Sequence, residues 1–397
     1  MCSRYVVGGS CPDRPERSPR KIMRLRAISH SALSPRLSPR KQIALVIAAA
    51  ASALLGGTLA AVAATGSQAA GATQTNARSA QGSAPYIFIH DPTMAREGGT
   101  YYVFSTGDPA GSIGNGNIQI RTSANLRTWN YAGTVFATKP AWITSALGDI
   151  PNLWAPDISY FGGLWHLYYA GSSFGSNNSV IGLATTPTLD PRSPRYHWTD
   201  DGLVFRTTSA DNFNAIDPSL VTATDGSKYL VLGSFFSGIK MIQLDAATGK
   251  SAASPTVYSL ASKPFPDPEE GAGITYHDGY YYLFVSVDNC CRGISSTYHV
   301  QVGRSTSITG PYVDAAGTAM TNGGGMEVQG TDAGMIGPGG EFVFSGGGSD
   351  WLVYHYYDAF DNGDAWIQVR PLTWVGGWPV TGQALVPVPR RPGSPAS

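Results

Sequence analysis

Gly279-Tyr280-Tyr281-Tyr282-Leu283-Phe284-Val285 is a turn followed by an aromatic strand, and phrases of this kind recur along the chain. Each copy begins with a small residue and continues with aromatic and aliphatic residues. The five copies are Gly99–Ser105, Gly163–Tyr169, Gly226–Leu232, Gly279–Val285 and Ser349–His355. Their first residues are 64, 63, 53 and 70 positions apart. A near-constant period of this length predicts repeated supersecondary units.

The stretches between the copies alternate short apolar runs with Gly, Pro, Asn and Asp, which is typical of short β-strands and turns. Examples are Ile118–Arg121 and Ser179–Ala184. Each repeat has room for about four such strands, which is one propeller blade. We therefore predict an all-β protein, a five-bladed β-propeller, over residues 85–386. A β-sandwich or a β-helix is the alternative, and the regular period argues against both.

The start of the chain has the pattern of a secretory signal. Ile43–Ala64 is apolar and uncharged, follows a basic run, and contains the small residues Ala61–Ala63 near its end. These features predict a leader over residues 1–64 and a secreted, extracellular protein. An uncleaved membrane anchor is the alternative. Residues 65–84 are predicted to be a flexible linker, and the proline-rich residues 387–397 a disordered tail.

Removing the leader changes the charge of the protein. The whole chain has 27 basic and 27 acidic residues, but residues 1–41 hold ten of the basic and only two of the acidic ones. The remainder has 17 basic and 25 acidic residues, a net charge of −8. A chain without a basic patch is not expected to bind nucleic acid. A neutral substrate suits this charge better than a polyanion, and we expect a monomer with no membrane contact once the leader is cleaved.

The cysteines leave two readings open. Cys2 and Cys11 belong to the leader, whereas Cys290 and Cys291 are adjacent in the predicted propeller. In an oxidising compartment these two could form a vicinal disulfide, or they could be two buried free thiols. No zinc-site spacing of Cys and His is present.

An acidic residue precedes each of the first four aromatic strands by roughly ten positions. These residues are Asp91, Asp157, Asp217 and Glu270, each flanked by apolar residues or by Pro or Gly. The pattern predicts partly buried carboxylates that converge on the propeller axis. Burying like charges together raises their pKa values, and carboxylates in unlike environments carry out glycoside hydrolysis. For any single acid, a turn residue that binds backbone amides is the alternative.

Aromatic residues beside these acids are candidate platforms for a sugar ring. Trp154, Phe174, Phe235 and Phe236 lie in the predicted loops next to the acids. A core position is the alternative for each of them.

At these residues the chain resembles the family-43 glycoside hydrolases, and within them the endo-α-1,5-L-arabinanases. The matching segments are His90–Pro92, Leu153–Ile158, Asn214–Pro218, Glu270–Gly271, Tyr280–Ser286, Cys290–Gly293, Val302–Ser305, Ile308–Tyr312 and Trp351–Asp358. The resemblance covers about residues 85–380. It implies a five-bladed propeller that hydrolyses arabinan with inversion at the anomeric carbon.

Roles for the acids follow from the resemblance. It implies that Asp91 is the general base that activates water, and that Glu270 is the general acid that protonates the leaving oxygen. Asp217 would raise the pKa of the acid and orient it. An inverting pair needs carboxyl groups roughly 6.5–9.5 Å apart. Glu269 lies next to Glu270, but neighbouring residues of a strand point to opposite faces, so only one can face the channel, and the motif favours Glu270.

The resemblance also implies residues that contact the substrate. Asp157 would line the cleft, with Trp154 as a sugar platform. The remaining implied contacts are Asn214, Ser234, Phe174 and Arg292.

Two positions depart from the family pattern. Relatives carry a histidine in a Gly-Pro-Gly-His phrase of the last blade, near a metal ion in the channel, whereas this chain has Gly340 there. This leaves His90 and His355 as candidates for a structural calcium or sodium ion, with a hydrogen-bonded core histidine as the alternative for each. No cofactor is expected to be required for the chemistry. After Glu270 this chain has Gly271-Ala272-Gly273, which removes bulk beside the acid.

Three functions are compatible with these features. The first is a secreted endo-arabinanase. The second is an arabinofuranosidase or β-xylosidase of the same family; such relatives often close the cleft with a further domain, for which the chain has no room after Trp378. The third is a non-catalytic sugar-binding propeller, which predicts the loss of Asp91, Asp217 or Glu270, and all three are present.

Overall fold

The computed structural model describes residues 88–388, and in it the chain forms five antiparallel sheets of four strands each. Each sheet uses four strands that are consecutive in the sequence, so each sheet is one blade. Blade 1 contains β1 (Thr93–Glu97), β2 (Thr100–Ser105), β3 (Gln119–Ser123) and β4 (Asn130–Thr134). Blade 2 contains β5 (Trp154–Phe161), β6 (Leu164–Gly171), β7 (Ser179–Thr186) and β8 (Thr199–Thr207).

The remaining three blades repeat this order. Blade 3 contains β9 (Ser219–Thr222), β10 (Lys228–Leu232), β11 (Ile239–Leu244) and β12 (Val257–Ala261). Blade 4 contains β13 (Glu269–His277), β14 (Tyr280–Val287), β15 (His299–Ser305) and β16 (Met326–Gln329). Blade 5 contains β17 (Met335–Gly346), β18 (Ser349–Asp358), β19 (Ala365–Val375) and β20 (Trp378–Thr381).

The recurring aromatic phrases are the second strands of the blades: β2, β6, β10, β14 and β18. The first strands β1, β5, β9, β13 and β17 are neighbours of one another in a closed ring around the axis. The prediction of a five-bladed β-propeller is therefore confirmed.

Apolar packing between adjacent blades stabilises the ring. One cluster of buried residues lies at each of the five blade-to-blade interfaces, including the one between the first and last blades. At that closing interface Val103 of β2 and Val353 of β18 are both fully buried. The backbone N–H of Ile89 also donates to the carbonyl of Ala365, at 3.2 Å. The two ends of the described chain are thus joined by side-chain packing and by the backbone.

Short helical segments lie in the connections. These are the α-helix α1 (Ala141–Leu147) and three 3-10 turns, Gly114–Gly116, Gly293–Ser295 and Met320–Asn322. Within residues 88–388 no helix has the length and apolar character needed to cross a membrane. The predicted leader (1–64) and linker (65–84) lie outside the described residues, as does most of the predicted tail. Val388, the last described residue, packs against the cluster between blades 4 and 5.

We call the upper face the end of the propeller where each first strand begins and each second strand ends. The loops β2–β3, β6–β7, β10–β11, β14–β15 and β18–β19 lie at this face. The predicted acids lie at the beginnings of the first strands, so the topology brings them to the upper end of the channel.

Candidate active site

One residue near the start of each first strand has a left-handed backbone. The five residues are Asp91 (φ 51°), Ala155 (φ 39°), Asp217 (φ 54°), Gly271 (φ 60°) and Gly340 (φ 56°). In β5, β13 and β17 this residue lies within an irregularity of the pairing with the second strand. Irregularities of this kind change the direction of a side chain and are common next to active sites. A left-handed backbone costs energy in residues other than glycine and clusters at functional sites.

The acids do not share one position relative to this residue, contrary to the expectation from the repeats. Asp91 and Asp217 are themselves the left-handed residue, whereas Glu270 precedes it by one position and Asp157 follows it by two. The difference has a physical cause, because the local kink places residues on both sides of it toward the axis.

Three of the four acids form one electrostatic group. Burial is the main cause that raises the pKa values of Asp91 and Asp217, and repulsion from Glu270 raises both further. Repulsion from Asp91 adds to the effect on Asp217. Asp217 Oδ2 accepts a hydrogen bond from the backbone N–H of Gly271, at 3.0 Å. This bond joins Asp217 to the backbone that carries Glu270. The structure therefore brings together the three residues predicted to be catalytic.

Asp91 combines channel access with a shielded environment. Its side chain is 30% exposed, and its Oδ2 accepts a hydrogen bond of 2.5 Å from the Thr106 hydroxyl. Its pKa is raised to about 7, mainly by burial and further by Glu270, while the Thr106 bond opposes the rise. A carboxylate with a pKa near the working pH is suited to general-base catalysis.

Glu270 is held by two hydroxyl groups. Ser234 donates to its Oε2 at 2.6 Å, and Tyr298 donates to its Oε1 at 2.9 Å. Burial raises the pKa of Glu270, and these two bonds oppose the rise. Burial first, and then repulsion from Glu270 and Asp91, raise the pKa of Asp217 well above its usual range. Burial of both carboxyl groups and the repulsion between them thus favour the protonated form of the pair, as a general acid requires.

Ser234 was predicted to contact substrate, and the structure shows that its hydroxyl orients the candidate acid. Sequence reasoning did not identify Tyr298, which is 2% exposed. Its only sequence signal is its place at the end of the β14–β15 loop, seven residues after Cys291.

Asp157 and Asn214 connect blades 2 and 3. Asp157 is 2% exposed, and its Oδ2 accepts a hydrogen bond from the backbone N–H of Leu220 at 3.0 Å. Burial raises the pKa of Asp157 to about 7. Asn214 is 4% exposed, and its Oδ1 accepts a hydrogen bond of 2.6 Å from the Ser179 hydroxyl. These contacts hold neighbouring blades together, and a substrate contact by either residue stays a prediction.

The other predicted substrate residues lie at the rim of the upper face. Trp154 is partly buried, its indole N–H donates to Asn152 Oδ1 at 2.9 Å, and its ring meets Phe174 edge-to-face at 6.1 Å. Phe174, in the β6–β7 loop, is 83% exposed. Arg292, in the β14–β15 loop, is exposed. Further exposed apolar side chains in upper-face connections are Phe236, Phe265, Ile294 and Phe360.

A fifth buried carboxylate, Glu341, was missed by sequence reasoning. It follows the left-handed Gly340 in β17, is 7% exposed, and accepts a hydrogen bond from the Ser286 hydroxyl. Its pKa is raised to about 8, mainly by burial and further by Asp91 and Glu270, while the Ser286 bond opposes the rise. The repeats contained the signal, because Glu341 precedes the fifth turn by eight residues, as Asp91 precedes the first.

Glu269 lies on the other side of its strand from Glu270. It is fully buried, and a Cβ atom added to Gly238 would lie 2.8 Å from its Oε1. Burial and the nearby Asp267 raise its pKa to about 8, while Lys263 and Lys240 oppose the rise. Its surroundings differ from those of Asp91 and Asp217, which leaves Glu270 as the channel-facing member of the two.

The channel histidines are the predicted ligands of a structural cation. His90, Asp91 and His355 offer donor atoms that lie within 4.8 Å of one another. His355 Nδ1, however, accepts the backbone N–H of Asp91 at 3.1 Å, and its Nε2 lies 3.3 Å from the Tyr357 hydroxyl. Both ring nitrogens are thus engaged. Burial and the stacked His90 ring hold the pKa of His355 well below its usual range, so its 3.7 Å approach to Asp91 Oδ1 is no ion pair.

The structure leaves no space for a side chain at Gly340. A Cβ atom there would lie 2.5 Å from Asp91 Oδ1 and 2.8 Å from His355 Nδ1. A histidine at position 340, as in the family phrase, would require these neighbours to move. Because the ring nitrogens of His355 are already engaged, a structural cation at His90 and His355 stays a prediction, and we assign no chemical step to a metal.

The two adjacent cysteines are joined. Cys290 and Cys291 form a vicinal disulfide in the β14–β15 loop. The structure therefore favours the first of the two readings that the sequence left open.

Comparisons with known proteins agree with this geometry. Residues 86–379 match the family described as glycosyl hydrolases family 43. The chain is 42% identical over 293 residues to the extracellular endo-α-(1→5)-L-arabinanase 1 of Bacillus subtilis (strain 168). The aligned residues cover 73% of this chain and 87% of that protein. It is 37% identical over 309 residues to the extracellular exo-α-(1→5)-L-arabinofuranosidase ArbA of Cellvibrio japonicus (strain Ueda107), covering 75% and 87%. The solved endo-arabinanase of Bacillus licheniformis is 46% identical, with a TM-score of 0.68, covering 74% of this chain and 97% of that one.

Proposed function

Because the chain belongs to glycosyl hydrolase family 43 and is a glycosidase, we propose that it is a secreted, inverting endo-arabinanase that cleaves internal α-1,5-L-arabinofuranosyl linkages. The observation that carries this proposal is the convergence of Asp91, Asp217 and Glu270 at the upper end of the channel, in unlike environments. The named arabinanase relatives support arabinan as the substrate.

The environments of the acids support a division of roles. Asp91, with a single strong hydrogen bond and an exposed edge, takes a proton from the attacking water. Glu270, whose following residue Gly271 donates its backbone N–H to Asp217, protonates the leaving oxygen. A raised pKa keeps the acid protonated until the glycosidic bond breaks.

The rim supports binding of a polymer. Large apolar side chains are exposed in connections of several blades, among them Phe174, Phe236 and Phe360. Aromatic faces are suited to stacking on sugar rings. Apolar contacts distributed around the site can hold several sugar units on either side of the scissile bond, and this favours internal cleavage over release of a single terminal sugar.

Exo-acting arabinofuranosidase activity is the second candidate, because one relative carries that name. The names of both relatives include the word extracellular, which supports secretion together with the predicted leader.

Product analysis separates these functions. Purified protein is incubated with linear arabinan, xylan and an aryl α-L-arabinofuranoside, and products are resolved by anion-exchange chromatography. The proposal predicts a ladder of linear oligosaccharides from arabinan and slow or no release from the other two. Arabinose as the only early product would establish the exo mode, and xylan hydrolysis would reject the substrate assignment.

A further inference from the structure

The Tyr357 hydroxyl lies between the vicinal disulfide and the channel histidines. The backbone N–H of Cys291 donates to it at 2.6 Å, and His355 Nε2 lies 3.3 Å from it. Tyr357 is 2% exposed and His355 is fully buried. The rings of these two residues also meet edge-to-face, with centroids 5.5 Å apart. Movement of the Cys291 backbone would therefore be transmitted to buried groups.

The directions of the hydrogen bonds can be assigned. The backbone N–H of Asp91 can only donate, so His355 Nδ1 must be the unprotonated acceptor. In the neutral ring the proton is then on Nε2, which donates to the Tyr357 oxygen. That oxygen accepts from both Cys291 and His355. A continuous chain of hydrogen bonds thus runs from the disulfide loop to the backbone of Asp91.

Asp91 needs this support because its backbone is strained. Its φ of 51° is unfavourable for a residue other than glycine, and such a conformation persists only where the surroundings impose it. Thr106 holds the carboxylate and His355 holds the backbone N–H. The backbone conformation sets the direction of the carboxylate, so the group that fixes His355 also fixes the direction of Asp91.

The disulfide is placed to hold the first link of the chain. Cys291 itself has a left-handed backbone, with φ 66°, and is exposed to solvent. The cross-link to Cys290 limits the conformations of this peptide. Opening it would free the Cys291 N–H to turn away from Tyr357.

We propose that the Cys290–Cys291 disulfide, Tyr357 and His355 form a positioning relay that orients Asp91, so that turnover depends on the oxidised state of the disulfide. The proposal rests on the role proposed above for Asp91 as the base. Tyr357 and His355 are positioning residues here, because they act through Asp91.

Steady-state kinetics on linear arabinan test the relay. Reduction of the protein with tris(2-carboxyethyl)phosphine should lower kcat about tenfold, the factor that corresponds to loss of one net hydrogen bond, with KM unchanged. A Cys290→Ser/Cys291→Ser variant should match the reduced protein and not respond to the reductant. Tyr357→Phe should show the same loss, and reduction should add nothing further. Tyr312→Phe, a buried tyrosine that donates to the Ile308 carbonyl, is the control and should keep full turnover.

A spectroscopic measurement keeps the test independent of activity. In protein labelled with ¹⁵N at histidine, His355 should be the neutral Nε2–H tautomer, and its signals should shift on reduction of wild type but not of Tyr357→Phe. If wild type hydrolyses no arabinan, the proposed function fails while these signals still decide the relay. Equal kcat values and unchanged His355 signals in oxidised and reduced wild type would overturn it. Additive effects of reduction and Tyr357→Phe on kcat would overturn it as well.

Discussion

Asp217 Oδ2 accepts a hydrogen bond of 3.0 Å from the backbone N–H of Gly271, the residue that directly follows Glu270. The bond joins the residue just before the first strand of blade 3 to the first strand of blade 4, next to the candidate acid. Asp217 thereby acts on Glu270 in two ways, through its charge and through the position of the backbone. The Asp217→Asn variant removes the charge and retains an oxygen acceptor for Gly271.

We therefore predict that Asp217→Asn lowers the pH at which activity is lost on the basic side. In the proposed roles Glu270 carries the proton of the coupled pair and Asp217 is ionised. Removing the charge of Asp217 then lowers the pKa of the acid, and the acid loses its proton at a lower pH. The measurement is the pH dependence of kcat/KM on linear arabinan for wild type and variant. An unchanged basic limb would contradict the electrostatic role.

A second prediction compares two adjacent glutamates. Glu270→Gln should lower kcat by at least about 100-fold, because general-acid catalysis contributes that much or more. Glu269→Gln is the matched control: the neighbouring carboxyl group is buried away from Asp91 and Asp217, with a pKa raised to about 8, so the amide resembles its protonated form. Thermal unfolding should show both variants folded. Comparable losses in the two would refute the assignment of the acid.

A third prediction concerns the space beside Asp91. Gly340→Ala should lower kcat about tenfold or more, because the added Cβ would meet Asp91 Oδ1 and His355. Gly98→Ala is the control, since Gly98 has a φ of 58° against 56° at Gly340 and no neighbour within 4 Å. Both variants should lose about 1–2 kcal/mol of stability from the left-handed backbone. Only Gly340→Ala should lose activity; equal kcat values would show that the contact is unimportant.

The fourth prediction concerns stability and pH at Glu341. Burial raises its folded-state pKa from 4.5 to about 8, so its contribution to stability is fully present below about pH 4.5 and is lost as the pH rises through about 8. Glu341→Gln mimics the protonated form. The variant should match wild type at pH 4 and exceed its free energy of unfolding by at least about 1 kcal/mol at pH 9.

Urea unfolding at the two pH values gives this comparison. Glu327→Gln, which replaces an exposed glutamate of β16, serves as control and should follow wild type at both. A Glu341→Gln variant that loses stability with pH as steeply as wild type would show that Glu341 is not buried as a neutral acid.

The repeats made the architecture predictable, because the aromatic second strands carry a strong period-2 pattern with a turn residue at a fixed place. The placement of acids at the upper end of the channel was predictable for the same reason. The left-handed residues were not, since Ala155 carries no sequence signal for its conformation. The kink at the left-handed residue explains why Glu270 precedes that residue whereas Asp157 follows it.

Contacts between blades were the least predictable feature. Ser234 lies in blade 3 and binds Glu270 of blade 4, and Asn214 binds Ser179 across another interface. Such partners are set by how neighbouring blades pack, which one sequence does not display. Glu341 was visible in the spacing, eight residues before the fifth turn.

The central claim is cleavage of internal arabinan linkages with inversion by Asp91 and Glu270. Proton NMR during the first minutes of hydrolysis of linear α-1,5-arabinan tests it most directly, because the anomeric signal of the new reducing end appears before mutarotation. We expect that the β-anomer forms first, on oligosaccharides of several lengths, and that Glu270→Gln forms none. First appearance of the α-anomer, or of free arabinose alone, would contradict it.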